Sequence, residues 1–199
     1  MMEILKTKSH MIGKLFVYQI AMSLLGLFVA SPFSGSMQIV AAVFSTLFFF
    51  SLVCYAVIED GQKDCVSVKA GRMTGNAFSG FVYTFVMYIP TIIIVVTQML
   101  LFLCTGKEVL TALKAVLAII IRVFLMGMYL GFENGLMDRQ YDKVTETMVS
   151  NASEAVQFFC NNYMIFAVFL IIFPVVCGIS YYLAYKGKIH VDTQVKNRK

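Results

Sequence analysis

The sequence predicts an all-α integral membrane protein, a single domain formed as a bundle of five membrane-embedded helices. Three observations carry that expectation. Of 199 residues, 59% are hydrophobic and only 14% charged, with a mean hydropathy of +0.80. A soluble domain usually carries about a quarter charged residues, and a water-soluble fold of this size buries only about 70% of the surface its unfolded chain exposes. Second, five apolar runs occupy about 12–31, 38–58, 79–104, 109–132 and 160–185, each near or above the roughly 20 residues that cross a bilayer's hydrocarbon. Third, the runs are continuous and not alternating. Hydrocarbon offers the backbone no hydrogen bonds, so continuous apolar runs there must be helices.

The N-terminal run follows basic residues and resembles a signal peptide, but Phe28 and Pro32 spoil the cleavage positions near Ala30 and Ser31. An uncleaved first span is expected. Spans one and two are joined by the uncharged turn "SPFSGSM", where Pro32 and the Gly/Ser cluster break the helix. Pro90 in span three and Pro174 in span five are expected to kink their helices. The stretch 133–159 is net acidic and reads as a water-facing partial helix.

Segment four differs from the others because Arg122 sits near its middle. An arginine at the bilayer centre costs about 2.5–3.5 kcal/mol on insertion scales unless it finds a partner or snorkels. At 100° per residue, Arg122, Tyr129 and Glu133 share one stripe, which makes them candidate pathway or pairing residues. Gly127, Gly131 and Gly135 form a ladder on the opposite side, the spacing by which helices associate in lipid.

A ten-residue pattern occurs twice, as "YAVIEDGQKD" (Tyr55–Asp64) and "YLGFENGLMD" (Tyr129–Asp138). Its residues Tyr55, Glu59, Asp60, Gly61 and Asp64, then Tyr129, Glu133, Asn134, Gly135 and Asp138, read as acidic turns at equivalent membrane exits. There Tyr sits at the headgroups and Gly ends the helix. "FVMYIP" and "FLIIFP" extend the match, so 38–104 and 109–185 are candidate halves of an internal repeat. Parallel halves require segment four to cross.

Charge argues the other way. Net charge is +5, and eight of the sixteen Lys/Arg lie in the tails: Lys6, Lys8, Lys14, Lys186, Lys188, Lys196, Arg198 and Lys199. With segment four only interfacial or re-entrant, eleven basic residues fall inside and four outside, Arg122 aside; with five crossings there is no bias. Positive-inside logic therefore favours a cytoplasmic N-terminus and a cytoplasmic basic tail, 186–199. Beside apolar spans such tails face anionic lipid headgroups, so the partner expected is the bilayer and not nucleic acid.

Chemistry is sparse. The two histidines, His10 and His190, lie in the tails, so no His-x-x-x-His zinc pair is available, and neither a phosphate loop nor Gly-x-Ser-x-Gly occurs. No cofactor or metal is implied. The five cysteines form no Cys-x-x-Cys, and the four in or beside apolar runs behave as small hydrophobes. The stretches "GQKDCVSVKAGRM", "GMYLG" and "P…CGISYYLAYKG" resemble uncharacterised small membrane proteins of Gram-positive bacteria. That resemblance implies a plasma-membrane location and no site residues.

The function expected is a non-catalytic helical subunit of a transport or export assembly, or a small transporter-like protein, partnered by another membrane protein or an ATPase subunit. An immunity or envelope-stress scaffold is the alternative. A membrane enzyme using the acidic turns is a third reading.

Overall fold

A computed structural model describes residues 2–72, 75–103, 108–137, 139–142, 147–150, 152–161 and 164–189. Helices dominate. Helix α1 (Met2–Ala30) ends in a turn where the Ser31 and Phe33 amides donate to Leu27 and Ala30, and α2 runs from Ser36 to Lys69. At 1.5 Å per residue α2 is about 51 Å long. The uncharged part, 38–58, is by itself long enough for the hydrocarbon, about 31 Å. The polar end from Glu59 onward therefore continues beyond the apolar stretch.

This corrects the expectation of an acidic turn at Tyr55–Asp64. The whole stretch lies inside α2, and Gly61 does not end it. The stop is Gly71, at φ +69. The Arg72 amide donates to Ser67 and the Gly71 amide to Val68, both at 2.9–3.0 Å, which is a Schellman cap. Helix α8 (Met164–Tyr185) ends identically: Gly187 has φ +70, and the Lys188 and Gly187 amides reach Leu183 and Ala184. A glycine followed by a basic residue terminates both helices, since only glycine enters the left-handed region at no steric cost.

Helix α3 (Ser79–Val86) stops at Met87–Tyr88 and α4 (Ile89–Leu103) follows. Pro90 occupies the first turn of α4, where its missing N–H leaves no intrahelical bond unmade. Pro174 lies inside continuous α8. Segment four is not a single straight helix. It comprises α5 (Glu108–Ile119), a π-helical turn (Ile120–Leu125), a 3-10 turn (Gly127–Tyr129) and α6 (Leu130–Met137), and Ala112–Leu125 meets Gly127–Met137 at 81°. The acidic stretch expected as partial helix contains, after α6, an antiparallel hairpin and helix α7 (Glu154–Asn161). In the hairpin, β1 (Arg139–Asp142) pairs with β2 (Thr147–Ser150), from Arg139 opposite Ser150 to Asp142 opposite Thr147.

Among the described residues four helices are long and apolar enough to cross a membrane: Lys8–Ala30, Ser36–Lys69, Ser79–Gln98 and Ile165–Tyr185. The bent pair makes a fifth if it counts as one span. Segment four is thus a broken span or a re-entrant pair, the alternatives that the sequence leaves open.

The chain forms two compact units. The first takes the described residues of Met1–Leu15, Phe50–Met87 and Ile171–Lys199, and the second those of Phe16–Phe49 and Tyr88–Leu170. In the first unit Leu15, Val53, Val57, Tyr83, Phe173, Cys177 and Tyr181 are fully buried. In the second, Phe49, Tyr88, Ile121, Met128 and Phe166 form the core. Large apolar side chains face outward in both, among them Ile171 at 69%, Phe28 at 71% and Phe44 at 62% exposure. Leaving one such side chain in water forgoes about 1.5–3 kcal/mol, so this surface suits lipid and not solvent.

Candidate functional site

The broken segment lies in the second unit. Its π-helical turn closes with the Met126 amide donating to the Ile121 carbonyl, and the bend falls at Met126 (φ −127, ψ 11). Breaking a helix orphans carbonyls, and Gln19 of α1 meets that need. Its Nε2 donates to the Leu125 carbonyl at 3.2 Å and to Thr91 Oγ1 at 3.1 Å, with Gln19 fully buried. Sequence reasoning missed Gln19. The signal was there: an uncompensated amide side chain inside an apolar span needs a buried partner.

Around the bend the glycines permit close backbone approach. A Cβ at Gly127 would collide with the Ser23 carbonyl of α1. One at Gly131 would meet the Gln38 carbonyl and Ala42 of α2, and one at Gly135 would meet Ile39 and the Gly35 carbonyl. From the other side Gly26 of α1 faces the Met128 backbone. The ladder expected to mediate helix association thus lies against α1 and the start of α2.

Of the polar stripe, Arg122 Nη2 donates to Glu133 Oε1 at 3.1 Å across the bend. Glu133 is nearly buried at 10% side-chain exposure, while Arg122 keeps 41%. Tyr129 is buried and stacks on Phe169 at 4.6 Å between centroids. Arg122, Met126, Tyr129, Leu130, Glu133, Cys160 and Ile165 line a half-open cleft with room for about one water molecule. Chemically the cleft offers a cation, a carboxylate and a thiol in an apolar wall.

The acidic residues of the repeated pattern do not come together in a single site. Glu59 pairs with Lys63 at 2.6 Å, one turn along α2. Asp60 and Asp64 both contact Lys8 in the first unit, whereas Glu133 belongs to the second. Tyr55 is exposed, Asn134 is half-buried, and Asp138 lies outside the described residues. Gly61 packs on α8, where a Cβ would come 3.0 Å from the Tyr181 carbonyl. Among the described residues no group of three or more His, Cys, Asp or Glu could hold a metal ion. The described cysteines form no disulfide, and Cys54 on α2 lies 3.9 Å, sulfur to sulfur, from Cys177 on α8.

Comparison with protein-family models, with curated proteins and with solved structures yields no match.

Proposed function

We propose that the chain is a multi-pass protein of the cell membrane that serves as a non-catalytic helical subunit of a transport or export assembly. The observation behind this reading is the 81° break in the Arg122 segment. Within hydrocarbon an interrupted helix is tolerated only where it is buried in protein or lines a cavity. In transporters such broken helices mark the place where substrate or coupling ion binds, and ionisable residues at depth line pathways or pair inside the bundle. Arg122 and Glu133 pair there, beside a cleft. The N-terminus is cytoplasmic in this reading, and energy comes from a partner, another membrane protein or an ATPase subunit.

Copurification tests it. The full-length tagged protein is extracted in mild detergent and its companions identified by mass spectrometry. A second membrane protein or an ATPase in stoichiometric amount supports the reading, and a solitary monomer overturns it.

A further inference from the structure

The bend leaves two paths for segment four: across the membrane, or back to the side it came from. Contacts inside each unit choose between them. In the first unit, Lys8 near the start of α1 meets Asp60 and Asp64 in the polar end of α2. Tyr181, in the last turns of α8, donates its hydroxyl to Asp64. The same residue lies against Gly61 of α2 and against Gly80 at the start of α3. One end of this unit therefore gathers the start of α1, the end of α2, the start of α3 and the end of α8. Let each of the spans Lys8–Ala30, Ser36–Lys69, Ser79–Gln98 and Ile165–Tyr185 cross once. Then α1 leaves that side, α2 returns, α3 and α4 leave again, and α8 returns. The chain between Gln98 and Ile165 begins and finishes on the far side, so segment four has to come back to where it entered.

The second unit gives the same answer from different contacts. The entering arm passes beside the end of a span: Gln98, which closes Ser79–Gln98, donates from Nε2 to the Lys114 carbonyl at 3.2 Å. The leaving arm finishes at the turn between α1 and α2, where Gly135 lies against Gly35. Between the arms the chain reaches inward. Leu125, at the bend, is held by Gln19, which also bonds Thr91. Gln19 is the central residue of the Lys8–Ala30 span, about 17 Å from either end at about 1.5 Å per residue. That is near the middle of a hydrocarbon layer roughly 30 Å thick. From there Gly127 lies against Ser23, Gly131 against Gln38 and Ala42, and Gly135 against Ile39. Helix α6 thus climbs along α1 and α2 back to their turn.

A returning segment survives in hydrocarbon only where protein covers its backbone or where it lines a cavity. Gln19 takes up the Leu125 carbonyl at the bend, the glycines bring α6 into backbone contact with α1 and α2, and Arg122 pairs with Glu133. The cleft beside that pair is completed by Cys160 of α7 and by Ile165, the first residue of the last span. Both stand on the side where the two arms open.

We propose that segment four is a re-entrant hairpin that enters from the non-cytoplasmic side, turns at Leu125–Gly127 near mid-depth and leaves on the same side, with the Arg122–Glu133 cleft in that half of the membrane. The inference rests on the membrane insertion and cytoplasmic N-terminus of the proposed function, and not on a transport role.

Labelling of intact cells tests it, using an amine-reactive reagent that does not cross membranes and mass spectrometry of the modified wild-type protein. Lys69 ends α2, and Lys186 and Lys188 follow α8. All three should stay unmodified until the cells are opened. Leu136→Cys, near the end of α6, should react from outside with an impermeant maleimide, above the wild-type background. Modification of Lys186 and Lys188 from outside while Lys69 is protected overturns the hairpin, because the segment then crosses. A Leu136→Cys that reacts only on the side of Lys69 overturns it too. If Lys69, Lys186 and Lys188 all react from outside and Leu136→Cys only after opening, the return stands and the orientation of the proposed function falls. The lysine pattern decides even if the cysteine variant fails to fold.

Discussion

At the residue scale, Asp64 and Glu59 show how two carboxylates five positions apart differ. Asp64 is buried with two donors, whereas Glu59 shares one pair with Lys63, which is 68% exposed. Removing one partner of a buried pair costs about 3–5 kcal/mol, while an exposed pair of this spacing contributes about 0.3–0.5 kcal/mol. Asp64→Ala is therefore expected to lower the thermal unfolding midpoint in detergent markedly, and Glu59→Ala hardly at all. Equal effects would show that the cluster does not organise its unit. Arg122 was legible from its isolation in an apolar run, and Glu133 from the helical stripe they share. Gln19 was visible only as an amide in an apolar span; its partner was not, because the Leu125 carbonyl is freed only once the π-helical turn has formed 106 positions away.

At the element scale, the glycines explain both what sequence reading anticipated and where it went astray. Spacing of four made Gly127, Gly131 and Gly135 visible as a packing ladder. Gly127→Val sets a side chain against the Ser23 carbonyl, and overpacking of this kind costs about 1–3 kcal/mol. Unfolding in detergent should show that loss, while a substitution at the outward-facing Val116 should not. Gly61 was read as a helix stop because it lies in the repeated acidic pattern that closes an apolar run, yet the stop lies ten residues on. Distinguishing them needs knowledge of what sits opposite: Gly61 has α8 against it, and Gly71 has nothing nearby. Gly71→Ala is expected to destabilise by about 1 kcal/mol through its left-handed backbone, visible as fraying of the end of α2 in hydrogen exchange. The α2–α8 packing makes another checkable statement. Mild oxidation should link Cys54 to Cys177, detected as a cross-linked peptide by mass spectrometry and lost in Cys177→Ser.

For the whole molecule, composition and five apolar runs announced the helices, and four of those runs correspond to helices of spanning length. The internal build of segment four was not legible, because hydropathy averages over a window and registers neither a π turn nor an 81° bend. The hairpin was likewise hidden, since its pairing is a matter of register and not of composition. Four crossings place both ends of the chain on one side, and five place them on opposite sides. The charge distribution and the bend together lead us to expect four crossings, with reporter fusions at the two ends both active in the cytoplasm. Opposite signals would mean that the bent segment spans.

The pairing of Lys8 with Asp64, and of Asp64 with Tyr181, has a consequence for biogenesis. The first unit draws its last segment from Ile171 onward, 84 positions after Met87. A growing chain therefore carries a lysine and two aspartates long before the phenol that completes their cluster has been translated. Completion of this unit therefore waits for its last helix, and a chain that stops short of Tyr181 leaves the Lys8–Asp64 pair without its third partner.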